Sequence, residues 1–313
     1  MLSLLGGVFL GWSLGANDAA NVFGTAVSSR MVKFRTAALL SAVFIILGAL
    51  LSGRPAIETL AGLTSLKLDQ AVITSVAAAI TVTLMTVLGL PVSTSQAVIG
   101  AIVGIGILNQ HINLSGLLKV VICWVGTPIG AAVAVLLLYN LLGKIYNRLQ
   151  LNLFQSDGLI RTLLLLAGAY GAFALGANNV ANVTAVYVGA GLINIYEAAL
   201  IGGGSIALGV ITYSRPVMET VGKKLVRLDP YSALIVVVAL AVTVHFYSFV
   251  GVPVSTSQAV IGGVLGIGLI KGVNTVSRRS LVSILVGWLL TPLIACFLAV
   301  MIYFITHLQY VPA

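Results

Sequence analysis

The chain has 313 residues, 59% of them hydrophobic and 7% charged, with a net charge of +9 and a mean hydropathy of +1.14. A water-soluble domain carries about a quarter of its residues as charged side chains, so this composition excludes a soluble fold. The excess of positive charge does not mark a nucleic-acid partner. The basic residues sit in short connectors between apolar runs, which is the cytoplasmic Lys/Arg bias of membrane proteins.

The first apolar run, Met1 to Leu14, has no basic segment ahead of it and reads as a first helix rather than a cleaved signal. It leads into Gly15-Ala-Asn-Asp-Ala-Ala-Asn21, where a break in the helix is expected. Asn17 and Asn21, four apart, share a helical face. Asp18 is the only acid inside an apolar run. A carboxylate at that depth costs roughly 2.5 to 3.5 kcal/mol on insertion scales. No Lys or Arg stands near it in sequence, so a bound cation is the expected partner, and carboxylate and amide oxygens are the ligands a hard ion prefers.

A basic connector (Arg30, Lys33, Arg35) precedes the next run, Ala37 to Leu51, and Arg54 then stands four residues before Glu58, as for a helical ion pair. From Gln70 to Leu108 the pattern is a re-entrant hairpin whose tip is Pro91-Val-Ser-Thr-Ser-Gln96. Proline ends the incoming arm, Ser93 caps the next half-helix and Gln96 takes the reciprocal capping-box place. Such an end offers free N–H groups and the positive end of a helix dipole to an anion. The hydroxyls of Thr94 and Ser95 add donors. The Gly100/Gly104 pair reads as a close-packing face, and a crossing helix follows from Leu117 to Leu142, holding Cys123 and Trp124-x-x-Thr127-Pro128. These runs do not alternate with period 2, so they are helices and not barrel strands.

The chain then repeats itself at a nearly constant offset. Gly176-Ala-Asn-Asn-Val-Ala-Asn182 answers residues 15–21, bringing Asn178, Asn179 and Asn182. Arg215 and Glu219 answer Arg54 and Glu58, and Pro253-Val-Ser255-Thr256-Ser257-Gln258 repeats the hairpin tip exactly as written at 91–96. Gly262 and Gly266 answer the glycine pair, and Trp288-x-x-Thr291-Pro292 answers the last helix, in which Cys296 is a packing residue like Cys123. The expected organisation is repeat one at 1–148, a connector at 149–158 and repeat two at 159–313.

Matching connectors carry opposite charge bias: basic at Arg30 but not near Asn194, and basic at Lys271, Arg278 and Arg279 but not near Asn113. Each copy is expected to cross three times and to insert one hairpin, so the two copies face opposite ways. With both termini outside, the clusters around Arg30, Lys144 to Arg161, Lys224 and Arg278 fall in the cytoplasm, and only Arg54, Lys67 and Lys119 fall outside. The fold class is an all-α polytopic membrane protein of two inverted-topology repeats, each with a broken first helix and a re-entrant helical hairpin. An enzyme is disfavoured, since the tip serines have no matching His or Asp and Asp18 has no second acid. His111, His245 and His307 lack metal-ligand spacing. Broken helices also line channels, but paired inverted hairpins fit alternating access better.

The paired GANDAAN/GANNVAN and PVSTSQ segments resemble the inorganic phosphate transporter (PiT) family over nearly the whole chain. The resemblance implies import of inorganic phosphate across the plasma membrane, coupled to sodium or protons, by a protein that is often a homodimer. It implies that Asn17, Asp18, Asn21, Asn178, Asn179 and Asn182 bind the cations. Ser93, Thr94, Ser95, Gln96, Ser255, Thr256, Ser257 and Gln258 would then hold phosphate. Family members commonly have Asp where this chain has Asn179, and many have an acid where it has Ile45 or Ile206. The long loop that animal members carry between the halves is absent here. Fewer titratable groups favour sodium as the co-transported ion, with no other cofactor. A proton- or metal-phosphate symporter and a permease for a related anion such as sulfate are the alternatives.

Overall fold

The computed structural model describes residues 2–87, 92–224, 228–272 and 278–308. Eleven α-helices occur among them: α1 (Leu5–Ser28), α2 (Phe34–Ser52), α3 (Arg54–Ala61), α4 (Leu68–Val87), α5 (Thr94–Leu108), α6 (Leu114–Arg148), α7 (Leu153–Gly189), α8 (Ile195–Lys224), α9 (Pro230–Val250), α10 (Thr256–Lys271) and α11 (Arg278–Leu308). Seven of these, namely α2, α4, α6, α7, α8, α9 and α11, are long and apolar enough to cross a membrane. The chain is a multi-pass helical membrane protein. Residues 149–152 separate α6 from α7, whose start is fixed by a reciprocal capping box between Asn152 and Gln155.

One local expectation is overturned. Neither first helix is broken: α1 runs unbroken through 15–21 and α7 through 176–182. Both heptapeptides lack proline and keep the backbone ladder, and their Asn and Asp side chains leave the helix sideways to meet neighbours. Their glycines serve contact instead. A Cβ on Gly15 would collide with the carbonyl of Ile206, and one on Gly176 with the carbonyl of Ile45. The two helix crossings are therefore backbone to backbone, α1 on α8 and α7 on α2, each first helix lying on the other copy's second. The exchange recurs at the hairpins. Gly100 of α5 lies against the carbonyl of Pro292 in α11, and Gly262 of α10 against that of Pro128 in α6. This bears out the reading of the glycine pairs as packing faces.

Inversion is visible where α1 meets α7. The backbone N–H of Gly7 donates to Tyr187 Oη at 3.1 Å, whereas Val22 lies against Gly171 and Phe23 against Gly168. Numbers rise along one helix as they fall along the other, so two copies of one element lie antiparallel. Both hairpins form. Asp229 caps α9 through Ser232 N at 3.0 Å, Pro230 opens the helix, and Gly251 at φ 78° ends it in the left-handed region that glycine tolerates. Gly89, the match of Gly251 in the first hairpin, and Pro91, the match of Pro253, lie outside the described residues.

The hairpin mouths are tied differently. In the first, Gln70 Nε2 donates to Asn109 Oδ1 at 2.9 Å and Asn109 Nδ2 donates back to Gln70 Oε1 at 3.1 Å. The second carries an ion pair between Lys271 and Asp229. Burial pushes the Asp229 carboxyl up, but the hydrogen bonds from Lys271 and Ser232 outweigh it and hold the group below its ordinary value. Both expected surface ion pairs form, Arg54 to Glu58 at 2.7 Å and Arg215 to Glu219 at 3.1 Å, exposed and worth little to stability.

Candidate functional site

The polar residues of the two heptapeptides and the two hairpin tips converge on one junction. Ser93 and Ser255 have extended backbones and cap α5 and α10, accepting long bonds from Gln96 N (3.4 Å) and Gln258 N (3.3 Å). The reciprocal half of the expected capping box does not form, because Gln96 Oε1 and Gln258 Oε1 are buried without a partner. Each half-helix therefore points first-turn N–H groups and its positive dipole end into the junction.

The tips meet through Val254. Ser95 Oγ donates to Val254 O at 3.1 Å. Asn178 grips the same residue twice: its Nδ2 donates to Val254 O at 2.7 Å, and its Oδ1 accepts from Val254 N at 2.8 Å. An asparagine side chain thus supplies the pairing that extended backbone would otherwise find in a strand. Asn182 Nδ2 donates to Ser95 Oγ and to Asn179 Oδ1, both at 2.9 Å, while Asn182 Oδ1 is buried and unpaired. The α7 heptapeptide thereby holds both tips at once.

The α1 heptapeptide faces the second tip. Asp18 Oδ2 accepts from Thr256 Oγ1 at 2.9 Å and from Asn179 Nδ2 at 3.4 Å. Asn21 Nδ2 donates to Thr256 Oγ1 at 3.2 Å and to Ser257 Oγ at 3.3 Å. Asn17 lies beside Asp18 on α1, half-buried like Asp18, Asn21 and Ser257. Asn178, Asn179, Asn182, Ser93, Thr94, Ser95 and Gln96, together with Ser255, Thr256 and Gln258, are buried. The junction is therefore sealed on the side of α7 and α5 and more open along α1, where Thr25 and Ser28 continue the half-buried face.

All fourteen residues singled out from sequence lie at or beside this junction. Sequence reasoning missed Val254, which acts through its main chain and carries no side-chain signal. It also missed Tyr187, a fully buried side chain that receives the N–H of Gly7 and plugs the α1–α7 contact on the sealed side. The repeat gives no pointer to it, because Ala26 stands at the equivalent place in copy one. Among the described residues no three His, Cys, Asp or Glu side chains group as for a metal centre. The chemistry on offer is one carboxylate, several amide and hydroxyl oxygens and two helix N-termini: a place for a hard cation beside a place for an oxyanion.

Comparison with known proteins places the chain in a family. The phosphate transporter family matches twice, over residues 14–156 and 150–299. The chain is 30% identical to a protein of Methanocaldococcus jannaschii named as a phosphate permease, over 94% of this chain and 93% of that one. It is also 30% identical to the sulfate permease CysP of Bacillus subtilis, over 94% of this chain and 84% of that one. A solved structure described as the sodium-dependent phosphate transporter has the same fold, with a TM-score of 0.85, 98% of each chain covered and 24% identity. With two family matches in tandem and relatives aligned nearly end to end, the chain belongs to the phosphate transporter family and is a membrane transporter, not an enzyme.

Proposed function

We propose that the protein is a secondary transporter that imports inorganic phosphate together with sodium by alternating access. The observation that carries this reading is the junction itself, in which Asp18 is hydrogen-bonded to Thr256 of a hairpin tip whose helix N-terminus faces the same space. A cation on Asp18 and the neighbouring amide oxygens lowers the cost of bringing a polyanion into a low-dielectric site, so the two ligands favour each other's binding. Phosphate is held by the first-turn N–H groups and hydroxyls of Ser93 to Gln96 and Ser255 to Gln258. Asn17, Asp18, Asn21, Asn178, Asn179 and Asn182 supply the cation side. The relative named a phosphate permease and the fold shared with the sodium-dependent phosphate transporter support both halves of the reading.

In this scheme the half-buried face of α1 that runs from Asn17 through Asn21 to Thr25 is the access route in the conformation described, and it opens toward the Arg30 end. With the termini outside, that end is cytoplasmic. The equivalent route along α7 is closed by Val186 and Tyr187. The other face opens when the α1 and α7 contacts exchange roles, as two inverted copies allow.

A second reading, sulfate as cargo, is favoured by the likeness to the Bacillus sulfate permease. The test measures uptake by Ser95→Ala and Ser257→Ala variants. The half-saturating phosphate concentration is expected to rise roughly tenfold, with that for sodium little changed, as for loss of a hydrogen bond to a charged group. Equal losses for both ions would count against the hairpin tips as the anion site. Excess sulfate that abolishes phosphate uptake by the wild-type protein would move the cargo to the second reading.

A further inference from the structure

Buried polar atoms that lack a partner are few in folded proteins, and each calls for a cause. Among the described residues seven such side-chain atoms occur, and four of them form two equivalent sets: Gln258 Oε1 with Trp124 Nε1, and Gln96 Oε1 with Trp288 Nε1. Register explains the sets. Gly262 lies against Pro128 and Gly266 against Ala132, so α10 and α6 run parallel in step, and one turn back Gln258 stands level with Trp124. Likewise Gly100 on Pro292 and Gly104 on Cys296 bring Gln96 level with Trp288. Each set thus holds one orphan acceptor and one orphan donor, at the same height on two helices in backbone contact. The glutamine nitrogens are not among the buried unpaired atoms.

We propose that Trp124 and Trp288 are positioning residues for the transported anion: when the anion is loaded, each indole N–H, unbonded in the conformation described, takes the carbonyl of Gln258 or Gln96 and turns that carboxamide so that its NH₂ faces the anion. An amide oriented by nothing could present either end, and a carbonyl aimed at an oxyanion repels it. The tryptophan selects the donating end. The device lies at both tips, so it acts on the anion in whichever direction the site is open. This assignment rests on the tips being the anion site, as proposed above.

Two measurements test it. The protein contains three tryptophans, Trp12, Trp124 and Trp288, and ¹⁵N-labelled indole groups give one N–H resonance each. Gln258→Met is expected to move the Trp124 resonance, identified by its loss in Trp124→Phe. Gln96→Met should move that of Trp288. The resonance of Trp12, which donates to Thr212 Oγ1 at 2.8 Å, should stay in place in both variants. Trp resonances unmoved by the glutamine changes would overturn the pairing whatever the cargo is. Alongside this, Trp124→Phe, which keeps an aromatic side chain and removes the donor, should raise the half-saturating anion concentration roughly three- to tenfold with maximal rate and sodium dependence retained. Unchanged anion affinity would overturn the positioning role. Both arms are read with the tetrahedral anion that the wild-type protein takes up, so a wild-type protein that transports neither phosphate nor sulfate refutes the functional reading separately from the pairing.

Discussion

Asp18 and Asn179 occupy equivalent positions in the two copies of the repeat and face each other across the axis that relates them, with Asn179 Nδ2 donating to Asp18 Oδ2 at 3.4 Å. A pair of identical residues would be the default product of duplication. Here one member is charged and the other is a neutral donor, so this central contact is an attraction rather than a repulsion.

Asn179→Asp would restore symmetry and set two carboxylates against each other at this distance. Like charges so close disfavour joint ionisation unless a cation lies between them. The expected result is transport with a steeper dependence on sodium concentration and roughly tenfold weaker function at low sodium. Uptake kinetics across a sodium series check this, and an unchanged sodium profile would show that the two positions do not share a cation environment.

Asn178→Ala removes both bonds to the Val254 backbone. The carbonyl keeps Ser95 as donor, but the buried N–H of Val254 is left unpaired, at a cost of about 2 kcal/mol. Lower thermal stability is expected, with faster amide exchange centred on residues 252–256. Exchange that rises evenly over the whole protein instead would show that this asparagine does not hold the tip.

The two hairpin mouths should differ in acid. Asp229 has a folded-state carboxyl held below its ordinary value, so its ion pair with Lys271 contributes stability that is fully present above the unfolded pKa. That stability is lost as pH falls through the folded value. The Gln70–Asn109 tie does not titrate. Protection factors at the base of α9 and α10, which correct exchange for the slower intrinsic rate in acid, should therefore fall at low pH, and Lys271→Ala should reproduce the loosening at neutral pH. Acid sensitivity that persists unaltered in Lys271→Ala would assign it elsewhere.

Asp18→Asn keeps the shape of the side chain and its capacity to accept from Thr256 while removing the charge. Sodium-driven accumulation is expected to fall at least about tenfold, since charge is what makes the site prefer a cation. Near-normal sodium-driven uptake in this variant would refute a role for Asp18 in coupling.

Much of this architecture was legible in the residues. Repetition revealed the two copies, connector charge their opposed directions, and proline followed by a serine cap the hairpin tip seen at 253–256. Polar residues in an apolar run suggest irregular backbone, so from sequence the heptapeptides read as breaks. The helices instead continue, because asparagine side chains reach across to the tips and satisfy themselves there. Which asparagine holds which partner was not legible. Val254 contributes only main-chain atoms. Tyr187 and Gly7 lie far apart in the chain, and their contact depends on the antiparallel approach of α1 and α7. The same holds for the different ties at the two hairpin mouths, where equivalent positions hold Asn109 and Lys271.

The central claim is tested most directly by uptake of labelled phosphate into proteoliposomes of the purified protein, comparing an inward sodium gradient with an equal choline gradient. Accumulation driven by sodium and not blocked by excess sulfate is the predicted result. Phosphate uptake of equal size under both gradients would contradict sodium coupling, and no phosphate uptake under either would contradict phosphate as the cargo.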